Sequence, residues 1–137
     1  MLILAASACR NEVTAPDSAN GLRLTVAVTH AELQRGQPDT VTTTLTNTNL
    51  HPVTLSMGAC ELLPYVTDAT GATVFPAGGW VCILSIRVLT LAPGERYTST
   101  VVWETAGFAP GVYSARATFS MEGGRLVAAP VSVRLNG

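Results

Sequence analysis

The chain has 137 residues, of which 47% are hydrophobic and 12% charged, with a net charge of -1 at pH 7. It contains no Lys and its Arg residues are scattered singly, so no basic patch exists to track phosphates and nucleic acid is not an expected partner. The length suits one domain with a real core, and richness in Val, Thr, Leu and Ala favours strands.

The head, Leu4-Ala5-Ala6-Ser7-Ala8-Cys9, sets a cysteine behind a short apolar run and small residues, in the form of a bacterial lipobox. In such a signal the apolar run enters the membrane, small residues admit the signal peptidase, and the cysteine sulfur receives a diacylglyceryl group. Residues 1–9 are therefore expected to be a lipoprotein-type signal remnant. Lipid at Cys9 would anchor the chain to a membrane of the bacterial cell envelope, on its extracytoplasmic side. Arg10-Asn11-Glu12 follows at once, so the apolar stretch is far below the roughly 20 residues of a spanning helix. It is also shorter than a whole signal and lacks a basic start, which puts the true start upstream or marks a clipped sequence. The other reading is an apolar tail or first strand with a buried thiol.

Residues 10–20, including Thr14-Ala15-Pro16-Asp17-Ser18-Ala19-Asn20, are polar and without hydrophobic period, and are expected as a tether. Residues 21–137 then form the domain. Leu22, Leu24, Val26 and Val28 alternate with Arg23, Thr25, Ala27 and Thr29, the period of a half-buried strand. Turn chemistry at 34–39 precedes a β-branched strand over 41–47. The loop Asn47-Thr48-Asn49-Leu50-His51-Pro52 carries Asn side chains able to mimic turns, and Pro52 opens a strand over 53–57. A fourth strand is expected over 60–67, ending in the turn Asp68-Ala69-Thr70-Gly71, with return at 72–75. Pro76-Ala77-Gly78-Gly79-Trp80 is a flexible loop leading into Cys82-Ile83-Leu84-Ser85-Ile86. Alternating segments follow at 97–103 and from Tyr113 to Phe119. A last strand is expected with Val127, Ala129, Val131, Val133 and Leu135 on one face.

Seven to nine short strands at hairpin-like spacing, with no convincing amphipathic helix, predict an all-β immunoglobulin-like antiparallel β-sandwich. If Cys9 takes lipid, Cys60 and Cys82 remain as a pair in an oxidising compartment, and a disulfide follows, worth about 3 kcal/mol in the chain-entropy model. The alternative is two separately buried thiols.

Four segments carry a family resemblance: the loop and strand from Asn47 to Leu55, the hairpin from Tyr65 to Phe75, Leu91-Ala92-Pro93-Gly94-Glu95 leading to Trp103, and Pro110-Gly111-Val112-Tyr113-Ser114-Ala115-Arg116-Ala117. In order and spacing the chain resembles the BsuPI-like domain, the intracellular proteinase inhibitor family, over nearly all its length after the tether. The resemblance implies a β-sandwich that binds a serine proteinase. The export signal and the cysteine pair depart from that pattern, since a cytoplasmic inhibitor needs neither, and fold alone does not fix the task.

Two loops are candidate partner-binding sites, because a rigid scaffold presents loops at low entropic cost. Gly78-Gly79-Trp80 offers mobile backbone beside a Trp, a residue enriched in interface hot spots; otherwise Trp80 folds back as a lid on the core. Phe108 in the 105–110 loop enters a partner's apolar pocket or packs on its own strands. Trp103 and Tyr113, in alternating strands, are expected in the core. His30 and His51 are the only imidazoles, and neither sits in a nucleophile or metal motif. No catalytic residue, metal or cofactor is expected. The sequence reads as a lipid-anchored, non-enzymatic protein-binding module, with proteinase inhibition its specific form; the alternative is an accessory domain of a cell-surface assembly.

Overall fold

The computed structural model describes residues 16–121 and 123–137. The Cys9 assignment and the first part of the expected tether lie outside the described residues. The strands are β1 (Ser18–Ala19), β2 (Leu22–Val28), β3 (Glu32–Gln34), β4 (Asp39–Asn47), β5 (Val53–Gly58), β6 (Tyr65–Thr67), β7 (Thr73–Phe75), β8 (Ile86–Leu91), β9 (Arg96–Trp103), β10 (Gly111–Arg116), β11 (Thr118–Met121), β12 (Gly124–Val127) and β13 (Val131–Asn136). A four-stranded sheet, β1-β2-β4-β9, and a five-stranded sheet, β3-β13-β10-β6-β7, form the two layers, joined by the separate pairs β11-β12 and β5-β8. The architecture is the expected all-β, immunoglobulin-like sandwich. It has more strands than expected because several span only two to four residues, and one pairing, β3 with β13, is parallel.

The alternation read from the sequence places the core. Leu22, Leu24 and Val26 on β2, Val41 and Leu45 on β4, and Val133 and Leu135 on β13 are all buried, with polar or small residues between them facing out. Trp103 and Tyr113 are buried as expected. Their rings meet edge-on at 5.3 Å, and the Tyr113 hydroxyl donates to the Ala109 carbonyl at 2.6 Å. A tyrosine that fastens the start of its strand to the backbone four residues upstream is a hallmark of immunoglobulin-like sandwiches.

Three expectations are corrected. Only Tyr65–Thr67 of the fourth strand is extended. Residues 60–63 instead turn, with Glu61 N–H donating to Gly58 O and Leu63 N–H to Cys60 O, and positive φ at Leu62 drives its side chain into the core. The last strand is two strands on different registers: Leu126 and Ala128 face inward before Pro130, Val133 and Leu135 after it. Pro130 supplies no ladder amide, so the chain shifts phase there. Finally, part of the expected tether belongs to the sandwich. Ser18–Ala19 pair with β2 through a two-residue turn, Asn20-Gly21, in which both residues have positive φ, the geometry Asn-Gly favours. Pro16 O accepts from Val127 N–H at 2.9 Å, and Asp17 O from Leu24 N–H at 2.8 Å.

Candidate partner-binding site

β5 and β8 form a ribbon at the side of the sandwich whose two faces differ sharply. On the inner face Met57 and Leu91 are buried, and Val53, Leu55 and Leu89 pack against the core. On the outer face the cross-strand pairs are Thr54 with Thr90, Ser56 with Val88, and Gly58 with Ile86. The Thr54 and Thr90 hydroxyls hydrogen-bond at 3.1 Å. Val88 and Ile86 stand 69% and 77% exposed, because the residues opposite them are small. Gly58 in particular has no side chain with which to cover Ile86.

N-terminal to β8 the same apolar surface continues along the chain. Val81, Ile83 and Leu84 are 96%, 75% and 104% exposed, and Trp80 stands at the far end. Five aliphatic side chains are exposed within eight residues, an apolar ridge in which Ile83, Leu84 and Ile86 border one groove. Beside the ridge lies a groove of about 710 Å³, walled on one side by residues 58–61 and on the other by residues 82–86.

The Cys60–Cys82 disulfide fixes the ridge to the body of the protein. It joins the turn after β5 to the loop before β8, with Cα atoms 5.7 Å apart and a sequence separation of 22. Other local support is sparse. Gly79 N–H donates to Pro76 O at 2.9 Å and Ser85 N–H to Ile83 O at 3.0 Å, and no other backbone–backbone hydrogen bond joins residues 78–85 among the described residues. Trp80 is held at one edge: its indole N–H donates to Pro64 O at 3.0 Å, and its ring lies edge-on to Phe75 at 5.9 Å. About a third of the residue remains exposed, and the rest of the ring folds back against Phe75, which packs on the core.

Gly78, Gly79 and Trp80 precede in the chain a surface that sequence reasoning passed over, Val81 through Val88, but Gly79 and Trp80 border a different depression, with Tyr65, Thr73, Pro76, Thr118 and Arg125. Phe108 is brought elsewhere. It packs edge-on against Trp103 at 5.4 Å and Tyr113 at 6.2 Å, beside the start of β10, whereas Trp80 bonds to Pro64 at the start of β6, which pairs with the far end of β10. Its ring completes the aromatic cluster of the core and is not a second arm of the ridge. The imidazoles are scattered too: His30 Nδ1 lies 3.6 Å from the buried Asp39 carboxylate, and His51 Nδ1 faces Pro52 O at 3.2 Å. No group of three His, Cys, Asp or Glu side chains converges among the described residues.

No family model and no characterised protein sequence matches the chain. Among solved structures it is similar to a β-glucosidase from Listeria innocua, at 18% identity and a TM-score of 0.47, covering 85% of this chain and 16% of that one. It is also similar to the CARDB domain of the PF1109 protein from Pyrococcus furiosus, in complex with di-metal ions, at 16% identity and a TM-score of 0.48, covering 85% of this chain and 90% of that one. A third similarity, at 16% identity and a TM-score of 0.45, is to the DNA glycosylase AlkC of Pseudomonas fluorescens, covering 85% and 31% of the two chains. The chain spans about 16% of the β-glucosidase it matches. At these values no activity or ligand carries over.

Proposed function

We propose that this chain is a non-enzymatic, lipid-anchored extracytoplasmic module that binds another protein through the ridge from Trp80 to Val88, and that its partner is a serine proteinase. The observation that carries this reading is the exposure of Val81, Ile83, Leu84, Ile86 and Val88 on a segment clamped by the Cys60–Cys82 disulfide. A soluble domain gains nothing in stability from leaving five such side chains in water, at a hydrophobic cost of about 25 cal/mol per Å² of apolar area. A partner that covers them recovers that free energy. Because the disulfide already restrains the segment, less conformational entropy is lost on binding.

The chemistry of the ridge narrows the partner. Its one charged side chain, Arg87, is turned to the inner side, with its guanidinium over the Tyr97 ring. Leu84, the most exposed residue of the ridge, fits an apolar primary pocket and not one built around a carboxylate that needs Lys or Arg. The family resemblance supports a proteinase as partner, and the lipobox at Cys9 supports an extracytoplasmic address.

The experiment is titration of the oxidised full chain against a subtilisin-like and a trypsin-like proteinase while following residual activity. Stoichiometric loss of the subtilisin-like activity is expected, with the trypsin-like enzyme untouched. Replacement of Leu84 by Asp should abolish inhibition, whereas Phe108→Leu, remote from the ridge, should leave it unchanged. Full residual activity at molar excess, or simple digestion of the domain, removes the proteinase from the account and leaves the accessory-domain alternative. The anchor is tested separately by the mass of the mature N-terminus after expression with its upstream reading frame; an unmodified Cys9 removes it.

A further inference from the structure

The four-stranded sheet ends in strands of very different character. At one edge β1 has two residues; at the other β9 has eight and, among the described residues, pairs only with β4. The edges of the second sheet, β3 and β7, have three residues each. Proteins protect long edges with charges, prolines or bulges. Between Tyr97 and Trp103 β9 has no charge and no proline, and its pairing with β4 shows no register shift.

The ladder shows which groups of β9 are free. In antiparallel sheets, successive residues turn their backbone hydrogen-bonding groups to alternate sides. Thr40 O accepts from Thr29 N–H and Thr48 N–H donates to Gly21 O, on the β2 side, while Asn47 N–H donates to Glu95 O, on the β9 side. Even-numbered residues of β4 therefore bond toward β2 and odd-numbered ones toward β9. Through the register Val41↔Val101 and Thr43↔Ser99, the odd residues of β9 are used by β4. The N–H and C=O groups of Arg96, Thr98, Thr100 and Val102 point off the sheet. The nearby ribbon approaches β9 on its inner face, at Ser99 and at Tyr97, whose ring lies under the Arg87 guanidinium at 4.9 Å.

We infer that this edge pairs with β9 of a second copy of the chain, antiparallel across a two-fold axis at Thr100. That register sets Thr100 opposite itself, Thr98 opposite Val102, and Arg96 opposite Glu104. The central pairs, at Thr100 and between Thr98 and Val102, join residues whose backbone groups have no partner among the described residues. Arg96 and Glu104 are both exposed, and neither forms an ion pair among the described residues. In the dimer each Arg96 meets the other copy's Glu104, so two opposite-charge pairs flank the axis. Val102, 51% exposed in the single chain, gains the Thr98 methyl group as a neighbour. A shift by one residue mismatches the backbone groups, and a shift by two sets Arg96 against Val102, so the charges select the register.

The test is sedimentation of the full chain, with Cys9→Ser to exclude lipid, over a range of concentrations at low salt. A monomer–dimer equilibrium is expected. Thr100→Lys sets like charges together at the axis, and Glu104→Arg sets two Arg opposite each other; each should weaken dimerisation at least tenfold. The exchanged double variant Arg96→Glu with Glu104→Arg should restore it. A chain monomeric throughout, or a dimer indifferent to these changes, overturns the inference. Glu104 lies beyond the end of β9, so its variant keeps the test intact should Thr100→Lys fold poorly.

Discussion

The Asn47 side chain is fully buried, and its amide nitrogen donates to Leu91 O at 2.9 Å and to His51 O at 3.0 Å while its oxygen accepts from Asn49 N–H at 2.8 Å. One residue thereby fastens the end of β4, the loop that follows and the end of the ribbon. Asn47→Ala leaves the buried Leu91 carbonyl without its donor, and the expected cost is about 2 to 4 kcal/mol, read as a lower urea midpoint with unchanged slope. The exposed turn at Asp68 follows a different rule. The Thr70 hydroxyl, at 2.6 Å, is the main reason its carboxyl sits below the ordinary carboxylate range, aided by the amides of Thr70 and Ala72. A lowered value means that the charged form is favoured in the folded chain. Its contribution is present above the unfolded carboxylate's range and fades as pH falls through the folded value. Amide exchange at Thr70 and Ala72, corrected for intrinsic rates, should therefore show constant protection from neutral pH to about pH 5 and a loss below the carboxylate range, a loss absent in Asp68→Asn. An equal acid response in both forms would refute the assignment.

At the scale of elements, the disulfide and the ribbon act together. With Cys60 and Cys82 both replaced by Ser, the fold is expected to lose about 2 to 4 kcal/mol, and residues 78–86 should exchange amide protons much faster while β4 and β10 keep their relative protection. Uniform loosening of the whole sandwich would contradict a local clamp. The alternating strands β2, β4, β9 and β10 were legible in the sequence because one face meets the core and the other water, which is what a period of two records. The cysteine pairing was legible as one of two possibilities. The exposure of the ridge was not, since an apolar run such as Ile83-Leu84-Ser85-Ile86 has the same composition whether both faces are buried or bare. Exposure here is a tertiary fact: Ile86 faces Gly58 across the ladder, and Ile83 and Leu84 lie outside any strand. The hairpin β1–β2 does carry a local signal, Asn20-Gly21, which straddles the boundary between the polar stretch 10–20 and the domain. The phase change at Pro130 was marked by the proline itself.

For the molecule as a whole, a well-packed sandwich carries its apolar core at one place and an uncovered apolar ridge at another. The core accounts for folding: Trp103, Phe119, Leu24, Leu45 and Leu126 are all essentially inaccessible to water. The ridge accounts for nothing in folding, and so its covering by another protein is the central claim. The long edge of β9 is a second surface, and it adjoins the first: Gly58, Ala59, Glu61 and Ser85, which wall the groove beside the ridge, also line a depression with Tyr97 and Ser99 of β9. The measurement that tests the central claim most directly is the dissociation rate of a subtilisin-like proteinase from the immobilised oxidised chain, compared with the Leu84→Asp and Cys60→Ser/Cys82→Ser variants. Slow release from the parent chain, with binding absent in Leu84→Asp and release much faster without the disulfide, is the predicted result. No binding by the parent chain, or binding that neither change disturbs, would contradict it.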